Sequence, residues 1–196
     1  MRKSRILMTI GVLLISGALS LSIYNRYEDK YAEEKSREIY IKLQDNLVHP
    51  ENKEPAVEQM NNKTEMDVIS IDGYDYIGSI EIPTLSLELP IMNDWSYNKM
   101  KMAPCRYYGS VFTNDLVICA HAYDSLFGNL KNLKQGDKLI LTDINSNKYI
   151  YEVEVIEILT PYDIDEMIES EFDLTLYTCT YDNQNRVTVR LNMIDE

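Results

Sequence analysis

Nineteen consecutive residues, Ile6 to Tyr24 (ILMTIGVLLISGALSLSIY), carry no charge and follow Arg2, Lys3 and Arg5. A helix of about that length crosses the hydrocarbon core of a bilayer, so the chain is predicted to split into an anchor and a water-exposed remainder. The basic flank on the short side predicts a cytoplasmic N-terminus and an exported bulk. A cleavable signal peptide has the same positive flank and apolar centre, and Ser16-Gly17-Ala18 supplies small residues. The run is long for such a peptide and lacks a clear A-x-A site, which favours the uncleaved anchor. In both readings the bulk is exported.

Asn25 to Leu47 is dense in Glu, Lys and Arg, with Tyr31, Ile39, Leu43 and Leu47 in a sparse helical period, and reads as a solvated helical stalk. His49-Pro50 ends it. Glu51 to Asp67 is polar, carries Pro55 and has too little apolar surface to pack, so it reads as a linker in which His49 is merely solvated. The expected organisation is a cytoplasmic N-terminus at 1–5, an anchor at 6–24, stalk and linker at 25–67 and a globular domain at 68–196.

From about Ile69 the sequence turns into short runs of β-branched and aromatic residues punctuated by Gly, Pro, Asn and Asp, the pattern of an all-β barrel or sandwich. Strands are predicted at 76–82, 87–92, 116–121, 138–142, 149–159, 174–178 and 186–193. Ser96 to Met102 and Ser125 to Leu133 are predicted as short helical connectors. In the second, Leu126, Phe127, Leu130 and Leu133 recur at three- and four-residue spacing. The acidic connection Pro161 to Asp173 has room for one or two helical turns and is the longest link near the end of the 174–178 strand. Loops of that kind, on a rigid scaffold, are where recognition concentrates.

A net charge of −13 leaves no clustered Lys and Arg for phosphate binding, which argues against nucleic acid as a partner. Three cysteines in an exported chain cannot all pair with one another, so at least one thiol is free or bridges two chains. Leu174 to Cys179 (LTLYTC) is a β-prone run that ends on such a thiol. A thiol is nucleophilic only as thiolate, and with an ordinary pKa of roughly 8.5 it needs a basic or cationic neighbour near neutral pH.

Of the two histidines only His121 lies in patterned sequence, at the end of Leu116 to His121. Arg186 opens the last predicted strand, with Arg190 on the same face. Taken singly, Cys179 reads as a core cysteine, His121 as a satisfied strand-end residue and Arg186 as a surface charge. Together they make a nucleophile, its proton partner and an oxyanion stabiliser. Cys119 shares a face with His121, so Cys119, His121 and Cys179 also suggest zinc or a disulfide, although no C-x-x-C or H-x-x-H spacing is present. Cys119 is otherwise read as packing beside the site, and Cys105 as part of a loop or strand edge.

These residues resemble the sortases, the membrane-anchored cysteine transpeptidases of Gram-positive bacteria. Thr175-Leu176-Tyr177-Thr178-Cys179 matches their TLxTC motif at every fixed position. Ile77 to Pro83 and Leu89-Pro90-Ile91 look like the family's opening strands, and Ala120-His121 with Leu126 to Leu130 and Gly136-Asp137 looks like the segment around its histidine. Cys119 and Ala120 depart from the small or aliphatic residue and the glycine usual there.

The resemblance implies a closed eight-stranded β-barrel with short connecting helices behind a transmembrane helix and stalk. It implies Cys179 as nucleophile, His121 as proton donor and acceptor, and Arg186, whose Arg-x-x-Val setting fits better than that of Arg190, beside the oxyanion. Thr178 and Thr180 are expected to contact substrate. No cofactor or metal is implied.

The implied reaction cleaves a C-terminal sorting signal of LPxTG type after Thr and passes the thioester to an amine, on a cell-wall precursor or a pilin lysine. The partners would be surface proteins or pilins bearing that signal. The 58 residues from His121 to Cys179 leave no room for the insertion of class B enzymes. No Asp-Pro-Trp lid motif of class C precedes the barrel connector at Ser96. An A-, D- or E-like enzyme remains, class D-like preferred. The alternatives are a catalytically silent membrane-tethered barrel that binds peptides, and an exported thiol-redox or zinc protein built on Cys119 and Cys179.

Overall fold

The computed structural model describes residues 2–48 and 64–194. His49 and the linker residues 50–63 lie outside the described residues. Helix α1 runs unbroken from Arg2 to Val48, so the apolar run and the charged stalk are one rod. It is the one described helix long and apolar enough to cross a membrane, by length and composition. The stalk half is not solvated all round. Ala32, Ser36, Ile39 and Leu43 recur every three or four residues and are all buried, while Tyr31 stays exposed. That seam lies along the barrel, chiefly against β3. Burial of Ile39 and Leu43 stabilises it by about 1.5–3 kcal/mol each.

The β region holds nine strands: β1 Ile69–Ile71, β2 Tyr74–Ile82, β3 Leu87–Met92, β4 Cys105–Tyr108, β5 Leu116–Cys119, β6 Lys138–Asp143, β7 Lys148–Leu159, β8 Leu174–Cys179 and β9 Arg186–Met193. The order β2-β3-β4-β5-β8-β9-β7-β6 closes through a β2–β6 pairing, which makes the expected eight-stranded barrel, and β1 adds a short strand to the edge of β2. Gly78 makes the closure possible. It has φ +153°, follows a register shift in β2, and a Cβ there would overlap the Thr142 carbonyl of β6.

All seven predicted strands are present. β1 and β4 were not predicted, and Cys105, expected in a loop or strand edge, sits in β4, paired with Cys119 of β5. β5 stops at Cys119, so Ala120 and His121 leave the ladder earlier than expected. The helix predicted over Ser125 to Leu133 reduces to turns and a 3-10 turn at Leu130–Asn132. Leu126, Phe127, Leu130 and Leu133 are nonetheless buried, so their spacing reports a buried face without a helix under it. Short helices α2 (Tyr97–Met100), capped by the Ser96 side chain, and α3 (Ile164–Ile168) occupy the other two connections.

Strand alternation separates two apolar layers. Leu174 and Leu176 of β8, Ile118 of β5 and Val187, Val189 and Leu191 of β9 fill the barrel interior. Val117 and Cys119 of β5 and Tyr177 of β8 point outward, into a second cluster covered by α1, α2 and α3 through Ile39, Leu43, Met100 and Met167. By the same parity Cys179 and Arg186 belong to the outer face.

Candidate active site

Cys179 is the last residue of β8 and is half-buried, with its thiol unpaired. The turn after it is tightly bonded. Thr180 N–H donates to the Asn185 carbonyl (2.9 Å), Asn185 N–H donates to Thr180 Oγ1 (3.0 Å), and Thr180 Oγ1 donates to Asp182 (2.5 Å). The last bond holds the Asp182 carboxyl below the ordinary carboxylate range. The turn returns the chain so that Arg186 pairs directly with Cys179 across the ladder. Directly opposed residues on one face bring their side chains to within about 5 Å at Cβ. Among the described residues the Arg186 guanidinium donates one hydrogen bond, from Nη1 to the Asn185 carbonyl (3.0 Å).

Arg190, four residues on, is 3% exposed and makes four hydrogen bonds. Its Nε donates to Glu157 (2.8 Å), Nη1 to Thr175 Oγ1 (3.0 Å) and to the Met167 carbonyl (3.4 Å), and Nη2 to the Glu166 carbonyl (2.6 Å). It ties the Pro161–Asp173 connection to the β8–β9 ribbon.

His121 reaches the same level from the neighbouring parallel strand. The β5–β8 register ends at Cys119↔Tyr177 and is carried on by Ala120 N–H donating to the Tyr177 carbonyl (3.3 Å). Thr178 Oγ1 then donates to the Ala120 carbonyl (2.8 Å), which sets His121 level with Cys179. His121 N–H donates to the Met100 carbonyl (3.0 Å), and the Tyr123 and His121 rings meet in a T at 4.3 Å between centroids. Burial, followed by the Lys101 ammonium, lowers the imidazole pKa, and the Glu28 carboxylate opposes them.

Thr178 and Thr180 have been drawn into the scaffold. Thr178 is 2% exposed on the interior side, with its hydroxyl committed to Ala120, and the Thr180 hydroxyl holds the turn. Both hydroxyls, at the positions expected to contact substrate, are engaged within the protein. The wall beside Cys179 comes partly from the Pro161–Asp173 connection, where recognition was expected, and partly from aromatic residues whose role the sequence did not announce. Trp95, Tyr97, Tyr107 and Tyr177 form a chain of ring contacts at 6.0, 5.5 and 5.5 Å. With Pro161, Ile164 and Met167 they enclose a cleft of about 160 Å³ that contains Cys179 and Arg186. Four aromatics between residues 95 and 108 were the available signal. His121 lies outside the cleft lining. A larger polar cleft of about 550 Å³ shares Trp95 and Tyr107 but holds none of the three residues.

Cys105 and Cys119 are fully buried. Burial pushes the Cys119 thiol up to about 12, even though the Tyr177 hydroxyl donates to it, and raises Cys105 as well. Both are core thiols. Among the described residues no group of three or more His, Cys, Asp and Glu is arranged to hold a metal ion.

Residues 80–194 match the family model described as the sortase domain. The chain belongs to the sortase family. It is 27% identical over 209 residues to sortase A of Bacillus anthracis, spanning 99% of this chain and 97% of that protein. Among solved structures, sortase C1 of Streptococcus agalactiae superposes with a TM-score of 0.57 at 27% identity, over 65% of this chain and 72% of that one. Sortase A of Corynebacterium diphtheriae gives 0.56 at 22% identity, over 92% and 94%, a likeness of fold. Family and fold together support a sortase function, and so an enzyme acting on sorting signals.

Proposed function

We propose that this sortase is a cysteine transpeptidase that cuts an LPxTG-like C-terminal sorting signal after Thr and transfers the upstream protein to an amine. The observation that carries the reading is the direct Cys179↔Arg186 pairing at the mouth of an apolar cleft, with His121 in register on the adjoining strand. In this mechanism the Cys179 thiolate attacks the Thr carbonyl carbon, and the Arg186 guanidinium donates to the oxyanion. The C–N bond breaks as His121, as imidazolium, gives its proton to the leaving glycine amine. The thioester is then attacked by an incoming amine, which returns a proton to His121 and expels the thiolate. The aromatic wall holds the apolar part of the signal.

Residues 6–24 cross the membrane with 1–5 inside the cell, and residues 25–67 carry the barrel, 68–196, on the outside. Proteins or pilins bearing the signal are the donors, and a cell-wall precursor or a pilin lysine is the acceptor.

The test is a fluorogenic peptide with a Leu-Pro-x-Thr-Gly core. Cys179→Ala is expected to abolish fragment release while melting like the parent protein, and an added amine should divert the parent's product from acid to amide. Turnover that survives Cys179→Ala would overturn the reading.

A further inference from the structure

We propose that Glu28 and Asp29 of the anchor helix are positioning residues for the His121 loop, so that the segment leaving the membrane also holds the proton carrier in place. The effect on turnover rests on the transpeptidase reading above; the structural coupling does not.

Two contacts join α1 to this loop across more than ninety residues of sequence. The Asp29 carboxylate accepts from both the backbone N–H (3.1 Å) and the hydroxyl (2.6 Å) of Ser125, and that hydroxyl also lies 3.1 Å from the Asp29 carbonyl. The Glu28 carboxylate accepts from the Tyr123 hydroxyl (3.3 Å). The same Glu28 oxygen stands 3.9 Å from the Lys101 ammonium.

Tyr123 is the residue whose ring packs in a T against His121, and Phe127 N–H donates back to the His121 carbonyl (3.4 Å), so the loop is closed on the histidine from both sides. The contacts belong to a docked seam. Ala32, one turn beyond Glu28, is fully buried in the barrel's core cluster, and Ser36, Ile39 and Leu43 continue the line. Glu28 is only four residues past Tyr24, about 6 Å along a helix axis. A tilt or pull on the apolar segment therefore bears directly on the loop.

The charges explain why such a device is useful. Lys101 beyond α2 and Glu28 from α1 act on the His121 imidazole and Tyr123 of its own loop meets its ring, while Asp29 bonds the same loop at Ser125 and the Cys179–Arg186 pair lies level with it in strand register. Burial and Lys101 both disfavour the imidazolium that the leaving amine requires, and Glu28 favours it. The anchor helix thus supplies the carboxylate that keeps the imidazole able to take a proton.

The experiment uses the full chain in detergent micelles. His121 is followed by its imidazole proton resonances through a pH titration; the chain has only two histidines, so a His121→Gln variant assigns it and His49 is the internal control. Glu28→Gln should move the His121 midpoint down and Lys101→Met should move it up, with His49 unmoved. Asp29→Ala should speed amide exchange of Ser125 and Phe127 by about tenfold, the scale of a lost hydrogen bond to a charged group, and Asp29→Asn should restore much of the protection.

The alkaline limb of kcat for the Leu-Pro-x-Thr-Gly peptide should follow the His121 midpoint in each variant. A midpoint unchanged in both charge variants, or exchange unchanged in Asp29→Ala, overturns the positioning claim. Midpoints that move while the kcat limb stays put overturn its role in turnover. If the parent protein does not cleave the peptide at all, the transpeptidase reading fails, and the titration and exchange still decide the coupling.

Discussion

Arg186 and Arg190 stand on the same face of β9, four residues apart, opposite Cys179 and Thr175 of β8. At the Arg190 end the guanidinium is buried and makes four hydrogen bonds to Glu157, Thr175 and the carbonyls of Glu166 and Met167. At the Arg186 end the guanidinium is half-buried and makes one, to the carbonyl of the residue before it. A buried polar group with most of its donors engaged rigidifies a structure, whereas a fork of mostly unused donors beside a thiol is suited to a charge that arrives during reaction. One ribbon therefore has a locked end, which fixes the acidic connection that walls the cleft, and an open end, which faces the cleft itself.

The largest effect should come from breaking the two ends separately. Arg190→Ala leaves Glu157 and two carbonyls unpaired. Removing one partner of a buried pair costs several kcal/mol, and Glu157 is 38% exposed, so a loss of about 3 kcal/mol is expected. Arg186→Ala should melt with the parent protein but lower kcat by roughly 10²–10³-fold, the scale of losing an oxyanion donor. Thermal melting and peptide turnover on both variants make the comparison. If Arg186→Ala unfolds the protein, or Arg190→Ala leaves its stability intact, the division into a locked and an open end is wrong.

A smaller effect sharpens the open end. Thr178 is the strut between the strands that carry Cys179 and His121, and Thr178→Val keeps its shape while leaving the Ala120 carbonyl unpaired. A loss of about 1–2 kcal/mol in urea unfolding is expected, and Thr178→Ser, which retains the hydroxyl, should recover most of it. A loss in Thr178→Ser larger than that in Thr178→Val would mean that packing of the methyl group, and not the strut, is what Thr178 supplies.

The barrel was legible because alternation and turn chemistry agree along β2, β3 and β6 to β9. β4 was missed because Cys105-Arg106-Tyr107-Tyr108 is short and shows no clean alternation; its pairing with Cys119 is decided by a partner strand and not by its own pattern. The Leu126–Leu133 period was read as a helix because burial at three- and four-residue spacing looks the same whether helix or turns produce it. Cys179 was singled out by a motif and His121 and Arg186 by the joint pattern they make with it, and the strand register that relates them follows from chain pairing that one strand's sequence does not encode. The cleft wall and the docked stalk were harder. Trp95 and Tyr107 meet only in three dimensions, and the buried positions of α1 are Ala32 and Ser36 as much as Ile39 and Leu43, too small and polar to announce a seam.

The smallest prediction concerns protons, and it too separates the ends of the ribbon. The folded protein lowers the His121 pKa, mainly by burial and then by Lys101, below the roughly 6.5 of an unfolded chain. Above about pH 7 the imidazole is neutral in both states and costs nothing. As pH falls through 6.5 the unfolded chain takes up the proton first, so stability declines until pH has passed below the folded value. His121→Gln has no such group, and the carboxylates common to both proteins cancel in the difference. The melting temperature of the parent protein relative to His121→Gln should therefore fall between pH 7.5 and pH 5. The slope belongs to the open end, where His121 stands level with Cys179. A difference that is flat with pH, or that rises as pH falls, would mean that the folded site favours the imidazolium and that Glu28 outweighs burial and Lys101 together.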